Sequence, residues 1–88
     1  MVKHQLKILP EFFDAVKCGN KRFELRKNDR NYQVGDMLIL EEWDGQQYTG
    51  DSIVRFVTYV YHGKGKFGLA EGYCILGISP LPKDFAKQ

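Results

Sequence analysis

Short stretches of the chain alternate between apolar and polar residues, and this alternation predicts a β-rich protein. A two-residue period or a short run of β-branched and aromatic residues is typical of a strand. Five segments have this character: HQLKIL, KRFELRK, MLIL, IVRFVTYVY and YCILGIS. The pair Asp44-Gly45 lies between the third and fourth segments and is a typical hairpin turn. The pattern therefore predicts about five strands joined by tight turns.

One early segment, PEFFDAVKCG, has the pattern of a short helix instead. Pro10 suits the first helical position, and Gly19 suits the residue just past the end. We expect Phe12, Ala15 and Val16 to share one side of this helix, because residues three or four apart lie on the same face.

The chain has 88 residues, which is the length of a single domain, here taken as residues 1–88. Five strands and one helix in this length predict a β-rich α+β fold. The expected architecture is a small β-barrel with the early helix plugging one opening.

Composition narrows the function without identifying it. The net charge is +2, and 43% of the residues are hydrophobic, as in a soluble globular protein. No apolar run reaches the roughly 20 residues of a membrane-spanning helix, and no signal peptide is evident, so a cytoplasmic location is expected. Cys18 and Cys74 are far apart, with no further ligand at metal-binding spacing. We expect no metal and no cofactor.

Charge is concentrated in residues 19–30, GNKRFELRKNDR, which hold five cations and two acids. Within this strand, period-two alternation places Phe23 and Leu25 on one side, expected to face the core, and Arg22, Glu24 and Arg26 on the other. An ion-paired solvated face is one interpretation, and an anion or polar-edge site is the other.

A second candidate is the loop HGKGKFGLAEG, where glycines allow close backbone approach to a phosphate. Lys64 and Lys66 would supply charge there, and Phe67 a ring for base stacking. No Ser or Cys nucleophile has an evident base, and His4 and His62 are not spaced as metal ligands.

With these residues assembled, GNKRFELR resembles the G-x-K-x-x-E-x-R signature of the ASCH domain superfamily, whose fold is PUA-like. YQVGDMLIL and EGYCILGI are similar to the strands that follow in that family, and the start HQLKILP resembles a short bacterial and phage subfamily. The resemblance implies an RNA-facing cleft beside the barrel, lined by Lys21, Glu24 and Arg26.

Three functions stay open. The first is an RNA-binding module that holds a single-stranded or modified nucleotide. Its expected contact residues are Lys21, Arg22, Glu24, Arg26, Lys64, Lys66 and Phe67. The second is suggested by relatives that hydrolyse N4-acetylcytidine and by others that are nucleases. Its catalytic groups would be Lys21 with Glu24 or Glu71, although Glu24 stands where those amidohydrolases have Thr. The third is a protein-interaction domain.

Overall fold

The computed structural model describes residues 1–82 and contains five strands and one helix. In chain order these elements are β1 (Lys3–Ile8), α1 (Pro10–Lys17), β2 (Phe23–Lys27), β3 (Met37–Trp43), β4 (Tyr48–His62) and β5 (Tyr73–Ser79). The predicted β-rich class, with about five strands and one early helix, is confirmed. The strand β4 begins at Tyr48, immediately after the turn that contains Asp44, and is longer than the pattern predicts.

All five strands form one sheet in the order β1-β3-β4-β5-β2, which curls into a half-barrel. Strand β1 pairs with β3 in parallel, and the other neighbours are antiparallel. The two edge strands are therefore β1 and β2. We call the gap between them the seam, because Arg26 Nη2 of β2 donates to Lys7 O of β1 across it at 2.7 Å.

The core fills the inside of the curl. It is built from apolar residues of every strand except β2, together with two helix residues and Tyr32. The helix buries Phe13 and Val16, whereas Phe12 is 43% exposed. Phe12 and Phe13 both have helical spacing to Val16, so the pattern alone does not decide which of the two is buried.

The predicted orientation of β2 was wrong. Phe23 and Leu25 are 48% and 54% exposed, whereas Glu24 is only 3% exposed. Residues directly opposite in an antiparallel pair share a face of the sheet, and Glu24 is opposite the fully buried Leu76 of β5. The side of β5 that faces the core therefore decides which side of β2 turns inward.

Candidate functional site

A cleft of about 410 Å³ opens at the seam, where the end of β1, the helix and β2 meet. Its lining is mixed, with apolar side chains around a charged group. The lining residues are Lys7, Ile8, Phe12, Lys21, Phe23, Glu24, Leu25 and Arg26. We call it the seam cleft. The structure thus brings together the three residues of the GNKRFELR segment that the sequence singles out.

Local backbone geometry places Lys21 in this cleft. The chain leaves the helix through Gly19, whose φ of +85° is a left-handed conformation that glycine adopts without strain. The backbone N–H of Lys21 then donates to Ala15 O at 2.9 Å, which holds Lys21 against the helix before β2 begins. Lys21 is therefore free of the strand alternation, and its ammonium donates to Glu24 Oε1 at 2.5 Å and to Phe23 O at 2.7 Å.

Glu24 is the buried centre of the charged group. Its Oε1 atom accepts from Lys21, and its Oε2 atom accepts from Arg26 Nε at 3.0 Å. The Glu24 side chain is 4% exposed, compared with 17% for Lys21 and 22% for Arg26. Burial of a carboxylate is tolerated only when it is paired, and two cations provide that pairing here. The group as a whole carries one excess positive charge at the base of the cleft.

Part of the charge in residues 19–30 stabilises the seam itself. The outer edge of β1 has backbone carbonyls with no neighbouring strand. Two guanidinium groups from beyond the seam donate hydrogen bonds to two of these carbonyls. Arg26 donates to Lys7 O, and Arg30 Nη1 donates to Gln5 O at 3.0 Å. Side-chain donors at an unpaired edge satisfy its polar groups and obstruct pairing with another chain.

Aromatic rings form the walls of the seam cleft near the ammonium group. Lys21 Nζ lies 4.8 Å from the centre of the Phe23 ring and 5.5 Å from that of Phe12. Both rings are nearly half exposed. The seam cleft can therefore accept a flat apolar surface against its walls and an anionic or hydrogen-bonding group at its base.

The other predicted site residues lie elsewhere. Lys64, Lys66 and Phe67 line a separate cavity of about 260 Å³ beside the end of β4. Glu71 is exposed in the loop between β4 and β5 and is not among the residues that line the seam cleft. Arg22 lines a further cavity at the end of the helix, where its Nε donates to Gly19 O at 3.1 Å.

Sequence reasoning missed two features. Phe12 lines the seam cleft and was not among the predicted site residues. His4 is buried, and its Nε2 lies 2.9 Å from Asp36 Oδ2. Burial by itself would raise the pKa of Asp36, but hydrogen bonds from His4 and from the backbone N–H groups of Gln33 and Val2 outweigh it, so the pKa lies below its usual value. The polar alternation of HQLKIL and the segment VGD are the sequence signals for this pair.

Within residues 1–82, no three His, Cys, Asp or Glu residues are close enough to hold a metal ion. Over the same residues, no helix has the length and apolar character needed to cross a membrane.

The "Uncharacterized 12.9 kDa protein in GpA 3'region" of Escherichia phage P2 is 46% identical to this chain over 57 residues. The match covers 65% of this chain and 52% of the phage protein, so the chain spans about half the length of that relative. This likeness agrees with the predicted relationship to an uncharacterised bacterial and phage group. The profile of a family described as a domain of unknown function, DUF3850, matches residues 3–78, and the chain therefore belongs to that family.

Proposed function

We propose that this chain is an RNA-binding module of the ASCH and PUA-like kind, and that the seam cleft holds one single-stranded or modified nucleotide. The observation that supports the proposal best is the meeting of Lys21, Glu24 and Arg26 at the base of a cleft with two aromatic walls. An RNA partner also fits the cytoplasmic location that the sequence predicts.

The charges of the cleft suit a phosphate-bearing ligand. Lys21 has three N–H donors and uses two of them, for Glu24 and for Phe23 O, so one stays available. Arg26 holds both Glu24 and Lys7 O and carries further N–H groups. Glu24 is 3% exposed and both its oxygens accept from cations, so in this arrangement it orients the two cations and does not itself contact a base.

The walls suit a nucleobase. RNA-binding proteins that read unpaired nucleotides stack the exposed bases on aromatic side chains, and each stack contributes about 1–3 kcal/mol. The rings of Phe12 and Phe23 are exposed and lie next to the ammonium group. A base against either ring would bring its sugar and phosphate near Lys21 and Arg26.

Fluorescence anisotropy with a labelled short single-stranded RNA tests the proposal. We expect Phe12→Ala to weaken binding by about 5- to 150-fold, which corresponds to the loss of one stack of about 1–3 kcal/mol. Phe67→Ala is the matched control, because it removes an even more exposed ring, 92% accessible, from the other cavity. If Phe67→Ala weakens binding and Phe12→Ala does not, the nucleotide lies at the loop between β4 and β5 and the proposal is wrong.

A hydrolase is the second candidate, and the contact between Lys21 and Glu24 favours it. An ammonium and a buried carboxylate 2.5 Å apart, at the base of a cleft, are close enough to exchange a proton. In this alternative Glu24 carries the proton, because Glu71 is not part of the seam cleft. Hydrolysis of N4-acetylcytidine would add water across the amide and release acetate and cytidine.

Chromatography of N4-acetylcytidine after incubation with the protein distinguishes the two candidates. We expect no cytidine, because Glu24 holds Lys21 as an ion-paired ammonium, which is a poor nucleophile. Turnover that disappears in Lys21→Ala would establish the hydrolase instead.

A further inference from the structure

A second cavity, of about 420 Å³, lies at the end of the helix and adjoins the seam cleft through Lys21. We call it the helix-end cavity. Four of its ten lining residues are cations, and none is an aspartate or glutamate. The four cations are Lys17, Lys21, Arg22 and Arg55. We propose that the helix-end cavity binds a backbone phosphate of the same RNA strand whose nucleotide lies in the seam cleft. This inference rests on the proposed function.

Three of the four cations have no carboxylate oxygen within 4 Å in the described part of the chain. The ion pairs within residues 1–82 join His4 to Asp36 and join Glu24 to Lys21 and Arg26. None of these pairs includes Lys17, Arg22 or Arg55. No carboxylate of residues 1–82 therefore forms an ion pair with these three cations, and an anion entering the cavity does not have to displace a resident ion-pair partner.

The arginines are already held in place. Arg55, on β4, is half-buried and donates from Nη2 to Val16 O at 3.1 Å and from Nη1 to Val54 O at 2.9 Å. Arg22 donates from Nε to Gly19 O at 3.1 Å. A guanidinium has five N–H donors, so both groups keep donors for a phosphate. Anchoring reduces the conformational entropy that each side chain would lose on binding.

Capping of the helix is the competing explanation for these cations. Val16 O and Gly19 O lie at the end of the helix, and cations near that end are favourable. However, the helix dipole places only about half a negative charge there. Three formal positive charges exceed that amount several-fold, so capping of the helix end does not by itself account for all three cations.

The two cavities suit consecutive parts of one strand. Lys21 lines both of them, with its ammonium at Glu24 on the side of the seam cleft. Ser79 also lines the helix-end cavity, and its hydroxyl oxygen accepts from Leu81 N at 3.1 Å. The hydroxyl hydrogen therefore stays free to donate. Phosphodiester oxygens accept hydrogen bonds from donors of these kinds.

The test compares the salt dependence of RNA binding in two double variants of the full chain. Lys17→Gln/Arg22→Gln removes two exposed cations of the helix-end cavity. Lys3→Gln/Lys27→Gln removes two exposed cations that line neither cavity. The matched pair is needed because any lost charge weakens long-range attraction to RNA.

We expect the cavity variant, and not the control, to bind RNA with a flatter salt slope. Each phosphate contact to a single strand contributes about 0.7 to the slope of log K against log salt. Loss of this one phosphate contact should reduce the slope by about 0.7, so the loss of affinity between about 50 and 200 mM salt should shrink by about 2.6-fold. Equal slopes for the two double variants, or no RNA binding by the wild type, would overturn the inference.

Two further measurements separate this inference from the proposed function and from a free-anion site. If the cavity variant weakens RNA binding and Phe12→Ala does not, the helix-end cavity binds RNA but the seam cleft does not hold the nucleotide. Titration with inorganic phosphate, followed through the amide NMR signals of Gly19 and Ser79, is the second measurement. Phosphate binding that the cavity variant loses, with RNA binding unaltered, would mean that the cavity takes a free anion and not an RNA backbone.

Discussion

Replacement of the buried carboxylate, Glu24→Gln, should destabilise the fold by about 2 kcal/mol. The carboxylate accepts hydrogen bonds from two cations, Lys21 and Arg26, and hydrogen bonds to charged groups contribute about 1.5–3 kcal/mol each. Glutamine has nearly the same shape but keeps only one acceptor oxygen. Its amide N–H₂ group would face the cation that has lost its partner.

The exposure of the two cations limits the loss. Breaking a fully buried ion pair by removing one partner costs about 3–5 kcal/mol, because the remaining charge stays in the interior. Here the Lys21 and Arg26 side chains are 17% and 22% exposed, so each can turn partly to water. A value of about 2 kcal/mol is still a large part of the roughly 4–13 kcal/mol expected for a domain of this length.

Urea unfolding followed by circular dichroism measures the effect. We expect a lower urea midpoint with an unchanged m-value. Thermal unfolding of the same variant should give a melting temperature about 8–16 °C lower. Glu71→Gln is the control, because it makes the same change at an exposed loop position. A difference between the two variants of less than about 0.5 kcal/mol, the ordinary range for surface substitutions, would refute the view that Glu24 is a buried centre.

Two further predictions concern parts of the fold outside the cleft. Because the pKa of Asp36 is lower in the folded chain than in a free aspartate, this group stabilises the fold above the unfolded-state pKa of about 3.9, and that stability is lost as the pH falls through the folded-state value. Urea unfolding at neutral and acid pH should therefore show a smaller acid-induced loss for Asp36→Asn than for the wild type, and equal losses would contradict this. In the same assay, Gly63→Ala should lower the free energy of unfolding by more than about 2 kcal/mol. The reason is that a Cβ atom at this position would lie 2.2 Å from Ala70 O and 2.9 Å from Tyr73 O. A cost below about 1 kcal/mol would show that the loop moves away.

Features that depend on near neighbours in the chain could be predicted from the sequence. The helix follows from Pro10 at its first position and Gly19 just past its end, and the structure has both. The strands follow from alternation and β-branched runs. The meeting of Lys21 with Glu24 could also be predicted, because they are only three positions apart and a glycine at position 19 can release Lys21 from the strand pattern.

Contacts between distant segments were settled only by the tertiary structure. Period-two alternation defines two faces of β2, but it does not say which one is inside. Pairing with β5 decides this, since Glu24 lies opposite Leu76, and so the apolar Phe23 turns outward. The placement of Phe67 in a separate cavity depends in the same way on how the loop after β4 lies against the sheet.

The closure of the seam shows most clearly the difference between what the sequence predicts and what the tertiary structure decides. Each cation in residues 19–30 looks alike in the sequence, yet Arg26 bonds a carbonyl 19 residues away and Arg30 bonds one 25 residues away. Such contacts exist because the sheet curls until its two edge strands face each other, and curl is a property of the assembled sheet. The sequence alone therefore determined which residues are charged and which segments are strands. The curl of the sheet decided which of those charges stabilise the seam and which line a cavity.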